Sequence, residues 1–331
     1  MRVLVTGGAG FIGSNFVRRA LSGAYPAFAG ADIVVLDKLT YAGTRQSLDP
    51  VADDPRLTFA HGDVCDPDMV DGLMKDVTTV VHCAAETHVD RSIRDGSAFV
   101  TTNVLGTHVV LEAGLRHGVD KVVVVSTDEV YGSIDTGSWG EDEPLRPSSP
   151  YSASKAAGDM LALAFFHTHG LPVCVTRCSN NYGPYQFPEK LIPLFITGLL
   201  DGEKLPVYGD GRNVREWTHV DDHCRGVALV AERGRPGEVY NIGSGTELTN
   251  LDTTRHLLEI CGADWSAVRF VDDRKGHDRR YSLDSAKIGT ELGYRAEVPF
   301  PDGLRSTVRW YAEHRSWWEP LKRELFEPVG S

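Results

Sequence analysis

Short apolar runs, each closing on a small or polar residue, punctuate the first half of the chain. Arg2-Val-Leu-Val-Thr6, Ile33-Val-Val-Leu36, Leu57–Ala60, Thr78–Cys83, Val122-Val-Val-Val125 and Pro172–Thr176 lack the two-residue alternation of a half-solvated strand. They therefore predict strands buried on both faces. Longer stretches with apolar residues at helical spacing separate them, notably Ser14–Ala24, Ser97–Gly118 and the segment from Tyr151 onward. Strict alternation of strand and helix predicts an α/β fold, a Rossmann-type doubly wound parallel sheet. Past about residue 180 the rhythm changes to a helix over Leu191–Leu200, a strand pair around Gly209-Asp210-Gly211, and mixed short elements. We expect 1–180 to form the first domain and 181–331 mainly a smaller, mixed α/β second one, with the chain free to cross back. No repeat or low-complexity linker separates them, so a tight interface is expected.

In such a sheet, ligands bind beyond the carboxyl ends of the strands. The four valines 122–125 stop at Ser126-Thr127-Asp128-Glu129, which places candidate chemistry at a strand end. Tyr151 and Lys155, four apart on a predicted helix, share one face, so the ammonium can lower the phenol's pKa and make it usable as acid or base. Between them, residues 133–150 are rich in turn formers and predict a loop over the site.

The glycines 7, 8, 10 and 13 follow the first strand and open a helix, the context in which a glycine motif lets backbone approach a pyrophosphate. The second strand ends in Asp37, suited to a ribose diol and repelling a 2′-phosphate, which favours NAD over NADP; Lys38 offsets that slightly. Asp63-Val64 could hold the adenine edge. Ala84-Ala85 leave room for a dinucleotide to lie across the sheet.

The 331 residues are 41% hydrophobic with a formal net charge of -12. That acidity argues against a nucleic-acid partner, and a small anionic ligand needs only local cations. The candidates are Lys190, Arg215, Arg274 and the His277-Asp278-Arg279-Arg280 cluster, with guanidinium best suited to phosphate. The first strand begins at once, and no apolar run approaches the ~18 residues of a membrane span, so a cytoplasmic protein is expected. The six cysteines and twelve histidines have no ligand spacing, so no metal site is expected and the thiols are read as reduced. Apolar residues on the 97–118 and 151–168 helices cover more than one stripe, which predicts a homodimer through those helices, burial within one chain being the alternative.

Thr127, Tyr151-x-x-x-Lys155 and the glycine loop resemble the extended short-chain dehydrogenase/reductase superfamily. Longer stretches (Leu39-Thr-Tyr-Ala-Gly43, Ala84–Ser92, Ser126–Gly132, Ser179–Pro193 and Lys275–Ser282) are similar to the dTDP-glucose 4,6-dehydratase family. The resemblance implies NAD as cofactor and a nucleotide-sugar, dTDP-glucose, as substrate. It makes Asp128 and Glu129 the dehydration pair, Tyr151 and Lys155 the redox pair, and Thr127 the group that holds the sugar oxygen. For the cofactor it implies Gly7, Gly10, Phe11, Ile12, Gly13, Asp37, Lys38, Leu39, Thr40, Gly43, Asp63, Val64, Ala84, Ala85, Thr102 and Asn181. For the substrate it implies Thr87, Asn180, Glu189, Lys190, Leu191, Pro206, Tyr208, Arg215, Asn250, Arg274, His277 and Tyr281. The expected activity is oxidation at carbon 4, loss of water across carbons 5 and 6, and hydride return to carbon 6, a step in deoxysugar biosynthesis. Two readings compete. A nucleotide-sugar 4-epimerase shares the redox pair and has no need of the acids, and a non-catalytic NAD sensor needs neither.

Overall fold

The computed structural model describes residues 1–274 and 276–326; Lys275, within a family-like motif, and residues 327–331 lie outside. Twelve strands are found among the described residues: β1 Arg2–Thr6, β2 Asp32–Asp37, β3 Leu57–His61, β4 Thr79–His82, β5 Lys121–Thr127, β6 Val173–Cys178, β7 Asn180–Tyr182, β8 Leu205–Tyr208, β9 Val214–His219, β10 Val239–Ile242, β11 Glu247–Thr249 and β12 Val268–Val271. Seven form one sheet in the order β10-β6-β5-β4-β1-β2-β3, every pair parallel. This is the doubly wound arrangement expected from the buried runs. The valines of β5 show why they read as apolar without alternation. Val123 and Val125 enter the core beneath the Phe11–Leu21 and Val220–Arg233 helices, while Val122 and Val124 enter the opposite one beneath Thr107–His117 and Pro150–His169.

Beyond residue 180 the chain builds a three-stranded sheet, β11-β9-β7, and a parallel pair, β12-β8. Their core gathers Tyr182, Phe195, Trp217, Leu257, Leu304 and Trp318. The chain also returns to the large sheet, through the Val220–Arg233 helix and β10.

Three local expectations are corrected. The strands flanking Gly209–Gly211 are β8 and β9, and they do not pair with each other: β8 pairs β12, and β9 pairs β7 and β11. The span 97–118 is not one uniform α-helix. Ser97–Val100 and Thr107–His117 are α-helical, and Thr101–Gly106 between them is a π-helical turn. Such turns shift side chains out of the 3.6-residue register and favour functional sites. Here the turn brings Asn103 to the end of β4, where its side chain accepts from Glu86 N (2.9 Å) and donates to Glu86 O (3.0 Å) and Ser154 Oγ (2.9 Å). Finally, residues 133–148 do not cover the cleft. They brace the 278–284 segment instead, through Ser148 to Asp278, Arg280 to Gly137 O (2.8 Å) and Trp139 N to Ser282 O (2.9 Å).

Candidate active site

One cleft of ≈470 Å³ runs across the carboxyl ends of the large sheet and is closed on its far side by β8, β9 and the helix starts at Leu191 and Asn250. At one end lies the glycine loop. Gly7 has φ +67°, and a Cβ there would stand 2.6 Å from Ala84 N; a Cβ on Gly13 would overlap Gly7 O. The loop is thus as tight as backbone allows, and only glycine fits. It delivers the Phe11–Leu21 helix with Gly10 at its N-cap and no side chain capping the first turn. Amide donors and the positive end of the helix dipole therefore face the cleft, the setting for a pyrophosphate.

Asp37, at the end of β2, is buried, and its carboxylate accepts from Ala9 N (2.9 Å) and Leu39 N (2.8 Å). It both caps its own turn and ties the glycine loop to β2. Burial pushes its pKa up, and the backbone donors of Leu39 and Ala9 oppose that. Lys38 pairs with Asp63 at 2.6 Å on the exposed rim, which engages the cation that clouded the expected preference at Asp37. Phe11, Ile12, Thr40, Gly43, Val64, Ala84, Ala85 and Thr102 line the same end. Leu39 does not line it: with φ +53° its backbone is committed to the turn at Asp37.

At the middle of the cleft, β5 ends in Thr127, whose Oγ1 accepts from Glu129 N (3.3 Å) and donates to Asp128 Oδ1 (3.3 Å). Asp128 is 2% exposed, and its Oδ2 has no partner. Burial, then the neighbouring charge of Glu129, then Glu216 hold its carboxyl well above the usual range. Burial raises Glu129 too, but Arg274, Lys190 and Arg215 favour its ionised form. Burial thus raises both neighbouring acids, but Glu129 adds to the rise at Asp128 while three cations oppose it at Glu129, so the two carboxyls differ in their surroundings.

The Pro150–His169 helix starts where it does because Ser149 and Ser152 form a reciprocal capping box, with Pro150 at the first helical position. That fixes Tyr151 in the first turn, edge-on to Phe99 with ring centroids 6.2 Å apart. The expected depression of its phenol is absent from the protein alone. Burial and then Glu129 push Tyr151 well above its ordinary value, and Lys155 Nζ donates to Val125 O at 2.8 Å rather than to the phenol. Burial also lowers Lys155, so desolvation dominates both members of the pair.

The far wall carries the cations. Arg215 is buried, stacks over Tyr281 at 4.4 Å and donates to Val214 O (2.7 Å) and Asp278 O (2.9 Å). Arg274 and His277 line the cleft beside it, His277 Nδ1 lying 2.6 Å from Asp273. Lys190 Nζ donates to Thr87 O at 2.9 Å. Glu189 sits within 3.6 Å of Arg91 and 3.5 Å of His88. Leu191, Pro206, Tyr208, Asn180, Asn181 and Asn250 complete the wall. Tyr281 is not among the lining residues and supports Arg215, its hydroxyl donating to Asp278 Oδ2 at 2.6 Å. Buried polar atoms without a hydrogen-bond partner among the described residues cluster here, Asn180 Oδ1, Asn181 Oδ1, Asn250 Oδ1, both Glu189 oxygens and Arg274 Nε. Such atoms are costly unless a ligand or water satisfies them. Glu86 and His88, the polar residues that follow Ala84-Ala85 at the end of β4, line the cleft as the strand-end reading expects, and Gln186, not singled out from the sequence, lines it too.

The family model described as GDP-mannose 4,6 dehydratase matches residues 4–307. A dTDP-glucose 4,6-dehydratase of Streptomyces antibioticus is 61% identical over 331 residues, covering 100% of this chain and 98% of that protein. The crystal structure of DesIV, a dTDP-glucose 4,6-dehydratase from Streptomyces venezuelae with NAD and TYD bound, superposes with a TM-score of 0.96 at 62% identity, covering 97% of this chain and 100% of that one. The UDP-glucose 4-epimerase of Thermotoga maritima, solved with UDP-glucose, gives a TM-score of 0.87 at 32% identity, covering 95% of this chain and 99% of that one.

Proposed function

The chain belongs to the GDP-mannose 4,6-dehydratase family and, within it, to the dTDP-glucose 4,6-dehydratases, and on that premise we infer how its residues divide the reaction. It is a hydro-lyase that converts dTDP-glucose to dTDP-4-keto-6-deoxyglucose, with NAD as cofactor. The tight glycine cradle, the uncapped helix start and Asp37 fit that dinucleotide. When bound, NAD takes the carbon-4 hydride and gives it back at carbon 6, leaving the overall reaction redox-neutral.

The proton on carbon 5 is not acidic until carbon 4 is a ketone, so the residues must act in order. Tyr151 removes the 4-hydroxyl proton, with the Lys155 charge stabilising the phenolate against burial and Glu129. Thr127 hydrogen-bonds the sugar oxygen. Glu129, whose ionised form three cations favour, abstracts the carbon-5 proton, and Asp128, held up by burial and by Glu129, protonates the departing 6-hydroxyl. Arg215 and Arg274 hold the diphosphate, and Lys190, Asn180, Asn250 and His277 orient the rest of the nucleotide-sugar.

The observation that carries this reading is the pair of adjacent acids Asp128-Glu129 sharing one cleft with Tyr151 and Lys155, with cations set against Glu129. A 4-epimerase has no use for it, so a shared fold does not separate the two activities and the acids do. The test is a hydride label at carbon 4 of dTDP-glucose. It should reappear at carbon 6 of the same molecule; release to solvent, or an epimerised product, would reject the assignment. Offering other nucleoside-diphosphate glucoses in the same assay tests the choice of base.

The homodimer is part of the same proposal. Val100, Leu105 and Met160 are 58, 47 and 64% exposed on the outer face of the Ser97–His117 and Pro150–His169 segments. They flank a groove lined by Val104, His108 and Leu161, apolar surface that a second copy would cover. No helix among the described residues is long and apolar enough to cross a membrane, and the six cysteines are free. Free thiols suit a reducing compartment, which supports a cytoplasmic location.

A further inference from the structure

A buried ammonium without a counter-charge sheds its proton, so something must hold Lys155 charged in the interior. Among the described residues its one hydrogen bond, to Val125 O, uses one of three donors. We propose that Asp159 is the positioning residue that keeps Lys155 charged and aimed at the reacting end of the cleft, and that Arg177 clamps Asp159 in place. This rests on Tyr151 and Lys155 acting as the redox pair.

Lys155 and Asp159 are four apart on the Pro150–His169 helix and so lie on one face, one turn from each other. They are 6 and 1% exposed. Asp159 Oδ2 accepts from Arg177 Nε at 2.9 Å, and Oδ1 is buried with no partner. Arg177, on β6, is itself fixed: Nη1 donates to Tyr131 Oη (2.8 Å), which donates to Asn241 Oδ1 on β10 (2.9 Å), and Tyr131 stacks on Trp139. The carboxylate therefore cannot swing away from the helix face it shares with Lys155. The buried guanidinium also demands an anion at that point.

The titratable groups facing Lys155 come from three elements. β4 contributes His82, held between Thr6 Oγ1 (2.7 Å) and Thr107 Oγ1 (3.0 Å) and pushed down to about 3 by burial, hence neutral. Cys83, just beyond β4, is pushed up to about 12 by burial, and burial also raises Cys178 at the end of β6, so both stay as thiols. Among the described residues, the carboxylate facing Lys155 is Asp159, and it opposes the lowering that burial imposes. Asp159 does not line the cleft, so its effect on the sugar must pass through Lys155.

The experiment uses the full-length holoenzyme with isotope-labelled lysine, the Lys155 resonance being assigned by its loss in Lys155→Met. In Asp159→Asn, Lys155 should titrate at least about one pH unit lower, about tenfold in proton affinity. Activity needs the ammonium and is lost as pH rises through its pKa. The alkaline limb of the cofactor-reduction step should therefore move down with it, KM for dTDP-glucose holding and Asp159→Glu restoring the limb. Because Asp159→Asn strands Arg177 and could unfold the protein, Asp159→Asn/Arg177→Met removes both charges together and should show a downward shift in the same direction, smaller because the repulsion from Arg177 goes too. Lys155 titrating at its wild-type pH in either folded variant overturns the proposal. If instead Lys155→Met reduces cofactor normally, the redox assignment has failed, whatever the titration shows.

Discussion

Replacing Glu129 by Gln removes a charge while keeping the side chain's shape, and the structure predicts opposite effects on two steps. For elimination the loss is direct. A positioned general base contributes about 10²–10⁴ in rate, so exchange of the carbon-5 proton should fall by that factor, about 3–5 kcal/mol at ~1.4 kcal/mol per decade. For oxidation the sign reverses. After burial, Glu129 is the largest cause holding Tyr151 above its ordinary value. Removing that charge makes the phenol easier to ionise, so the rising limb of the oxidation step, which needs the phenolate, should move to lower pH. Asp128 loses its strongest charged neighbour in the same change and should fall toward the ordinary carboxylate range. The assay is a single turnover in deuterated solvent, following cofactor absorbance for oxidation and mass at carbon 5 for exchange. Exchange at the wild-type rate would remove Glu129 from its role; an oxidation limb that stays put or moves upward would refute the charge argument.

Three further outcomes follow from the same geometry. Asp128→Asn should slow loss of water more than oxidation, so that reduced cofactor accumulates in a single turnover; equal slowing of both steps would place Asp128 elsewhere in the reaction. Asp37→Ala deletes a buried carboxylate bonded to Ala9 N and Leu39 N and should weaken NAD tenfold or more while narrowing its advantage over NADP, read by calorimetric titration. Leu105→Glu/Met160→Glu charges the exposed helical face and should leave a monomer in sedimentation; an unchanged mass distribution would rule out that face as the interface.

Much of this arrangement is legible in the chain because desolvation writes itself into composition. A strand buried on both faces must be continuously apolar, so β1, β2 and β5 stand out, and polar residues that interrupt such a run mark the edge of the core. Thr127, Asp128 and Glu129 are found that way. The return of β10 is not, because Val239-Tyr-Asn-Ile242 carries polar Asn241 for a specific purpose, accepting from Tyr131 and donating to Trp139 O. The π-helical turn is hidden for a related reason: its register is set by Asn103 bonding Glu86 and Ser154, distant contacts that leave no local periodicity. Tyr281 and Leu39 belong to family-like motifs yet are not among the residues lining the cleft, since a motif records which residues occur together and not which of them form its wall. Spacing places Tyr151 and Lys155 on one face correctly, but it cannot weigh desolvation against charge, and in the folded protein desolvation wins.

That last point constrains how the site works. Burial raises both Asp128 and Tyr151, and a charge on Glu129 adds to each, favouring Asp128 as a donor while resisting ionisation of Tyr151. The two requirements conflict unless a cation acts on the phenol without reaching the acids. Arg215, Arg274 and Lys190 cannot serve, because they lie on the substrate wall and favour the ionised form of Glu129. Lys155 can, since it stands on the same helix one turn from Tyr151, anchored to Val125 O on β5 and one turn from Asp159. The cations are therefore divided, those of the wall acting on Glu129 and that of the helix on the phenol. Neutralising Lys155 should consequently stop the reaction at its first proton transfer while leaving the surroundings of Asp128 and Glu129 unchanged.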